Sequence, residues 1–278
     1  MLAQRVLTAV VLLALLVPAL LAHQPWPFNV LTLLLIGAAG WEWGRLNQAG
    51  PLLSVLMGLA LTAACGAALL TGWAVAAPAW VWWCAAAVWA CGGLVVLRNG
   101  AAGWSRVARP ARWLLGLLAL WAAWLAMAQA RSIGLNFIMS VFCLVWAADI
   151  AAYFGGRALG RRKLAPTISP GKSWEGVYSG VAGVLVLALV WSQVESSLAS
   201  QSASLFVQLR TALGIVGALL ALALLAGMSV VGDLIESLVK RAAGAKDSSR
   251  LLPGHGGMLD RFDALLPVFP LALALINL

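Results

Sequence analysis

The residues best suited to chemistry concentrate in one run of the chain, KDSSRLLPGHGGMLDRFD, from Lys246 to Asp263. Asp260 and Asp263 are three residues apart, so on a helix they share a face and could hold one hard cation. Mg²⁺ takes one or two protein carboxylates and completes its shell with water and phosphate oxygens. Gly256 and Gly257 would let backbone N–H groups approach an anion closely. Carboxylates for a metal beside cations for phosphates are typical of phosphoryl- or nucleotidyl-transfer sites.

A polar stripe precedes this run within the otherwise apolar segment GDLIESLVKR. At helical spacing the stripe consists of Asp233, Glu236, Ser237 and Lys240. Positions i, i+3, i+4 and i+7 lie on one helix face. An acid–lysine pair that satisfies itself would also explain the stripe, so the sequence leaves both interpretations open.

A third polar segment, DIAAYFGGRALGRRKLAPTISPGKSWEG, begins at Asp149. A carboxylate inside a membrane span costs roughly 2.5–3.5 kcal/mol, so Asp149 and Asp233 predict a compensating cation, metal ion or water-filled cavity. Five cations of this segment could bind a polyphosphate: Arg157, Arg161, Arg162, Lys163 and Lys172. They could also be a topology signal only. The PGKS sequence is no P-loop, because Pro166 stands where the motif requires its first glycine.

These polar segments interrupt a very apolar chain of 278 residues, which is 63% hydrophobic and only 10% charged. Soluble domains are about 25% charged. Hydrophobic stretches of about 20 residues recur from end to end and predict an all-α polytopic membrane protein. We expect about nine transmembrane helices, at roughly 5–22, 28–46, 52–71, 78–97, 113–130, 133–155, 176–194, 211–240 and 264–278.

The distribution of charge predicts the orientation of these spans. With the N-terminus in the cytoplasm, sixteen Lys and Arg residues face inward and only Arg131 and Arg210 face outward. The segment SSLASQSAS, 196–204, is then an external loop. The net charge of +9 suits anionic headgroups or nucleotides. Nucleic acid is not expected as a partner, because the chain has no soluble basic domain.

Seven of the nine acidic residues fall in the second half of the chain, at or near the predicted cytoplasmic side, and Glu42 and Glu195 are interpreted as isolated. This division predicts a structural, lipid-facing region over 1–130. It also predicts a catalytic region over 131–278, with cytoplasmic active-site loops at 156–175 and 241–263. A transporter using Asp149 and Asp233 as an ion relay is an alternative, but it would need functional polar groups on both sides.

The segment from Ser237 to Asp263 resembles the signature of bacterial phosphatidate cytidylyltransferases, also called CDP-diacylglycerol synthases. The shared pattern is Ser, two residues, Lys-Arg, four residues, Lys-Asp, later Pro-Gly-His-Gly-Gly, two residues, Asp-Arg, one residue, Asp. GDLIES and the loop after Asp149 are also similar, so the resemblance covers about 60 residues. One departure is Ala264, where many members have serine.

The resemblance implies that CTP and phosphatidate react to give CDP-diacylglycerol and pyrophosphate with Mg²⁺, a second cation being left open. The phosphate of phosphatidate would attack the α-phosphorus of CTP. It also implies a multi-pass protein of the bacterial cytoplasmic (inner) membrane, with its active site facing the cytoplasm, and a homodimer. A related enzyme acting on another lipid phosphate would carry the same loop, since the lipid tail has no legible motif.

The resemblance also assigns roles to individual residues. As metal ligands it implies Asp233, Asp260, Asp263 and Asp149. As catalytic residues it implies Asp233, Asp260, Asp263, Lys240 and Arg261. As substrate-binding residues it implies Arg157, Arg161, Lys163, Lys172, Ser173, Ser237, Arg241, Lys246, Asp247, His255, Gly256 and Gly257.

Overall fold

The computed structural model describes residues 2–197 and 202–278 as a bundle of helices with one short β-ribbon. The N-terminal half contains α1 (Leu2–Leu21), α2 (Trp26–Leu46), α3 (Pro51–Leu70), α4 (Trp73–Ala76), α5 (Ala79–Ala87), a π-helical turn (Val88–Gly92), α6 (Gly93–Arg106) and α7 (Arg109–Ile133). The C-terminal half contains α8 (Leu135–Leu159), β1 (Lys163–Ala165), β2 (Ser169–Ser173), α9 (Trp174–Ser197), α10 (Leu205–Ala242), α11 (Leu259–Phe262) and α12 (Leu265–Ile276). Of the predicted external loop 196–204, residues 198–201 lie outside the described part of the chain.

The long apolar helices confirm a polytopic membrane protein, although the count of nine spans stays a prediction. Among the described residues, six segments are long and apolar enough to cross a bilayer: Pro51–Leu70, Ala79–Arg106, Arg109–Ile133, Leu135–Leu159, Trp174–Ser197 and Leu205–Ala242. Helices α1 and α2 occupy the first two predicted spans.

Helix α12 differs from the predicted ninth span, 264–278. It has only 12 residues, a length of about 18 Å, whereas the hydrocarbon core is about 30 Å thick. Every residue from Leu265 to Leu275 is buried. Apolarity alone does not separate a buried core helix from a span, which is why the sequence predicted a span here.

Close helix packing brings the second and third polar segments together. Helices α8 and α9 lie against each other, and a Cβ added at Gly176 would come within 2.9 Å of the Ala152 carbonyl oxygen. The long helix α10 packs against both of them and against α12. Asp149 of α8 and Asp233 of α10 therefore reach the same end of the bundle as the loop between α8 and α9.

That loop is a structured ribbon and contains the only paired β-strands among the described residues. Strands β1 and β2 pair in antiparallel fashion, with Lys163 opposite Ser173. The Glu175 carboxylate closes the ribbon by accepting the backbone N–H groups of Arg161 and Arg162, at 3.0 and 3.1 Å. It also pairs with the Arg162 guanidinium at 3.0 Å. The basic loop therefore has a defined shape, which a topology signal alone would not require.

Candidate active site

The loop from α10 to α11 is organised around the carboxylate of Asp260. Its Oδ1 atom accepts a hydrogen bond from Lys240 Nζ at 2.7 Å. Its Oδ2 atom accepts from the Gly257 N–H at 2.7 Å and from the Ser248 N–H at 3.1 Å. Burial works against ionisation, but the interaction with the neighbouring Glu236 and the hydrogen bonds from Lys240 and Gly257 outweigh it and hold the pKa of Asp260 well below its usual range.

The glycines of the PGHGG turn serve this carboxylate directly. The sequence indicated that their N–H groups would approach an anion, and in the structure the Gly257 N–H donates to the side chain of Asp260. Gly256 has φ +84°, a conformation that favours glycine, and a Cβ there would lie 2.6 Å from Asp260 Oδ2. The Arg261 guanidinium closes the turn from outside by donating to the His255 carbonyl oxygen at 2.7 Å.

The polar stripe of α10 is divided between two partners. Lys240 pairs with the buried Glu236 on its own helix and with Asp260 at 2.7 Å. Asp233 instead pairs with Lys172 of the ribbon at 2.5 Å and accepts a hydrogen bond from Ser237 at 3.2 Å. Both interpretations left open by the sequence therefore hold in part. Glu236 pairs with a lysine of the same stripe, whereas Asp233 pairs with a lysine of the ribbon.

A cavity of about 610 Å³ surrounds the Asp233–Lys172 pair. Its polar lining includes Asp149, Arg157, Lys172, Ser173 and Asp233. The cost of placing the carboxylates of Asp149 and Asp233 in apolar helices is therefore compensated by this polar cavity and by the Lys172 ammonium group.

Asp263 lies near this cavity, just before α12. Burial and the nearby charge of Asp233, with a smaller contribution from Asp149, raise the pKa of Asp263 to about 7. Its Oδ1 atom accepts a hydrogen bond from the Ala264 N–H at 2.8 Å. The carboxylates of Asp149, Asp233 and Asp263 therefore lie near one another. Among the described lysines, only Lys172 forms an ion pair with one of these three carboxylates.

A second polar cavity, of about 730 Å³, lies beside the loop. Its charged and hydroxyl lining comes from Arg45, Lys246, Asp247, Ser248, Ser249 and Arg250. Arg45 belongs to α2, so the N-terminal half contributes a cation to the lining of this cavity.

Other predicted substrate-binding residues make local contacts within their own segments. Arg157 contacts the Tyr153 hydroxyl at 3.4 Å, and Lys163 donates to the Pro170 carbonyl oxygen at 2.8 Å. The Ser173 hydroxyl accepts the Gly176 N–H at 3.2 Å, as an N-cap does. The Arg161 and Arg241 side chains are exposed.

The four predicted metal ligands do not form one cluster. Within the described residues, no group of three or more Asp, Glu, His or Cys side chains converges as a metal site. Asp260 has protein donors on both oxygens, whereas Asp149, Asp233 and Asp263 lie near the first cavity. A magnesium ion needs only one or two carboxylates when phosphate and water supply the other oxygens, so these three residues fit its donor chemistry.

Glu42 was missed at the level of sequence, where it was interpreted as isolated. It is fully buried in α2 and accepts four hydrogen bonds from the loop. A signal was available, because a carboxylate in an apolar helix needs compensation wherever it occurs. The cost of burying a carboxylate is the same for Glu42 as for Asp149 and Asp233.

Long apolar helices with acid- and cation-lined cavities at one end define a membrane protein whose site suits phosphate-bearing ligands. The profile of the cytidylyltransferase family matches residues 3–278, and the chain belongs to that family. It is 39% identical to a phosphatidate cytidylyltransferase of Pseudomonas aeruginosa, over 99% of this chain and 97% of that protein. Shorter matches join it to phosphatidate cytidylyltransferases of Haemophilus influenzae, 50% identical over 49% of this chain and 44% of that protein, and Staphylococcus epidermidis, 41% identical over 51% and 50%.

Proposed function

We propose that this protein transfers the cytidylyl group of CTP to phosphatidate, forming CDP-diacylglycerol and pyrophosphate. The observation that carries the proposal is the 39% identity to a phosphatidate cytidylyltransferase over 99% of the chain. The site supports it, because both cavities combine cations with carboxylates and lie where α10 meets the two polar loops.

The reaction asks the protein mainly for positioning and charge neutralisation. A non-bridging oxygen of the phosphatidate phosphate forms a bond to the α-phosphorus of CTP. The bond from that phosphorus to the oxygen bridging the α- and β-phosphates breaks, and pyrophosphate leaves with the electron pair. The lipid phosphate is already an anion at neutral pH, so this nucleophile needs no covalent help from the enzyme.

The two cavities suggest a division of labour between the substrates. The first is lined by residues of α8, α9 and α10, including the apolar Val177 and Val230, and would take the phosphate of phosphatidate near Lys172 and Arg157. The second has no large apolar side chain other than Leu46 and would take the phosphates of CTP near Lys246 and Arg250.

Magnesium is the metal we propose for this site, with Asp233, Asp263 and Asp149 holding it. When bound, it would neutralise charge on the phosphate oxygens. Asp260 would contribute chiefly by holding the loop, since Lys240 and backbone N–H groups already engage its oxygens. A second cation stays an open part of the proposal.

We place the enzyme in the bacterial cytoplasmic membrane, with the N-terminus and both polar loops facing the cytoplasm, where CTP is found. The sixteen-to-two distribution of Lys and Arg supports this orientation. A single cysteine introduced at the exposed Arg250, in a variant lacking the four native cysteines, would test it. An impermeant maleimide should label inverted vesicles and spare right-side-out ones, and the opposite pattern would reverse the orientation. The homodimer implied by the family resemblance stays a prediction.

The function is tested by pyrophosphate release from the purified protein in detergent, with Mg²⁺, phosphatidate and each nucleoside triphosphate in turn. We expect release with CTP only, and only when phosphatidate is present. Release with ATP or GTP at the same rate, or with CTP in the absence of lipid, would contradict the proposal.

A further inference from the structure

Glu42 connects the N-terminal half of the protein to the candidate active-site loop. Its Oε1 atom accepts hydrogen bonds from the Ser249 hydroxyl at 2.5 Å and the Met258 N–H at 2.9 Å. Its Oε2 atom accepts from the Ser248 hydroxyl at 3.1 Å and the Leu259 N–H at 2.7 Å. One carboxylate therefore fastens both ends of the turn that carries the PGHGG sequence.

These four donors are the compensation for a deeply buried carboxylate. Glu42 is 0% exposed, and no described Lys, Arg or His lies within ion-pair distance of it. Hydrogen bonds to an ionised acceptor are roughly twice as strong as those between neutral groups. A buried carboxylate with no cation is unfavourable unless such donors satisfy it. The loop conformation and the burial of Glu42 therefore depend on each other.

The end of α2 that carries Glu42 is itself fixed from the other side. The Trp43 indole N–H donates to the Arg112 carbonyl oxygen at 2.9 Å. The fully buried Asn47 accepts the Trp104 indole N–H on its side chain and the Trp113 indole N–H on its carbonyl oxygen, both at 3.0 Å. The carboxylate thus projects from a rigid support, as a residue that positions a functional loop should.

The contacts continue from Glu42 to Asp260 through a shared serine. The Ser248 hydroxyl lies 3.1 Å from Glu42 Oε2 and 3.0 Å from Asp260 Oδ2. Gly257, whose N–H donates to Asp260, lies so close to Glu42 that an added Cβ would overlap its Oε1 atom. Displacing Glu42 would therefore move the donors that hold Asp260.

We infer that Glu42 is a positioning residue of the active site: from α2 it sets the conformation of the loop 246–260 and hence the placement of the groups that bind CTP. It does not reach the first cavity, so its effect is confined to the nucleotide side. The inference rests on the proposed assignment of this loop to CTP. It also means that the region 1–130, predicted to be structural and lipid-facing, contributes to the site.

The test compares Glu42→Gln and Glu42→Asp with Glu195→Gln as the matched control. Glu195 also accepts a backbone N–H, from Ser204 at 2.9 Å, but at the opposite end of α10. The Glu42→Gln side chain keeps the shape of glutamate, yet its NH₂ group must face a backbone N–H that it cannot accept from. A displacement of about 1 Å can reduce turnover about 100-fold.

For Glu42→Gln we expect kcat/KM for CTP to fall about 10- to 100-fold, through a higher KM for CTP, with the KM for phosphatidate unchanged within twofold. Trypsin cleavage at the exposed Lys246 and Arg250 should become faster than in Glu195→Gln, and by more than any accompanying fall of the thermal midpoint in detergent explains. Glu42→Asp should recover part of the loss, because it retains the charge.

Two outcomes would overturn the inference. One is wild-type kinetics and wild-type proteolysis in Glu42→Gln. The other is a loss of activity that matches the loss of folded protein and leaves both KM values unchanged, which would make Glu42 important for stability only. If the wild type itself failed to use CTP, the proposed function would fail, while faster cleavage in Glu42→Gln would still show that Glu42 holds the loop.

Discussion

Replacing Asp260 with asparagine removes the charge around which the loop between α10 and α11 is arranged. The carboxylate accepts from Lys240 Nζ and from the Gly257 N–H, both at 2.7 Å, on opposite oxygens. Whichever way the asparagine amide turns, its NH₂ group faces one of these donors. The variant therefore loses at least one hydrogen bond between charged or strongly polarised groups.

The size of the effect follows from that loss. A hydrogen bond to a charged group contributes about 1.5–3 kcal/mol. The side chains of Lys240 and Asp260 are only 13% and 9% exposed, so solvent replaces little of the interaction. Lys240 keeps its ion pair with Glu236, which limits the penalty of an uncompensated buried charge. We expect the free energy of unfolding to fall by about 2 kcal/mol and kcat to fall about 100- to 1,000-fold.

Pyrophosphate release measures the catalytic effect, and thermal unfolding in detergent measures the effect on stability. Magnesium titration separates two roles for Asp260. If it acts mainly through the loop, the Mg²⁺ concentration for half-maximal rate should shift less in Asp260→Asn than in Asp233→Asn. Near-normal turnover and stability in Asp260→Asn would refute the reasoning, and a larger magnesium shift than in Asp233→Asn would make Asp260 a metal ligand.

Three further predictions concern the neighbouring groups. Lys172→Met removes an ion pair with Asp233 whose side chains are 25% and 34% exposed, so stability should change by only about 0–1 kcal/mol, while the KM for phosphatidate should rise at least about tenfold (roughly the effect of 1.4 kcal/mol). Because the pKa of Asp263 is raised to about 7, protons compete with the metal, so the half-saturating Mg²⁺ concentration should increase as the pH falls through 7. Asp263→Asn should abolish that pH dependence. Without metal, the contribution of Asp263 to stability should decline as the pH rises from about 4 to 7, because over this range the folded state binds more protons than the unfolded state. Gly257→Ala has no room for its Cβ, whereas Gly66 has open space, so kinetic assays should show activity lost in Gly257→Ala and kept in Gly66→Ala.

Much of the fold could be predicted from hydropathy because membrane helices are long and apolar throughout. Each of the nine predicted spans overlaps a helix in the structure, and the polar run Lys246–Asp263 contains a turn in which the Gly257 N–H donates to Asp260. Helix α12 shows the limit of the method. Other helices bury α12, and hydropathy does not report this burial. A short core helix can therefore be as apolar as a membrane span.

The pairing of charges could not be predicted, because it depends on tertiary contacts. At helical spacing Lys240 could pair with either Glu236 or Asp233, and only the position of Lys172 on the ribbon directs Asp233 outward. The donors on Asp260 come from a turn whose course the sequence does not define. Glu42 needed an argument from insertion energy, and its partners, more than 200 residues further along the chain, could not have been named.

The fate of labelled CTP tests the nucleotidyl transfer most directly. The purified protein would receive phosphatidate, Mg²⁺ and CTP labelled with ³²P at either the α- or the γ-phosphate, followed by separation into lipid and water. Cytidylyl transfer predicts that the α-label enters the lipid phase in step with pyrophosphate release and that the γ-label stays in the water. A γ-label in the lipid would indicate a kinase, and pyrophosphate release with the α-label left in the water would indicate a hydrolase. Either result would contradict the proposed reaction.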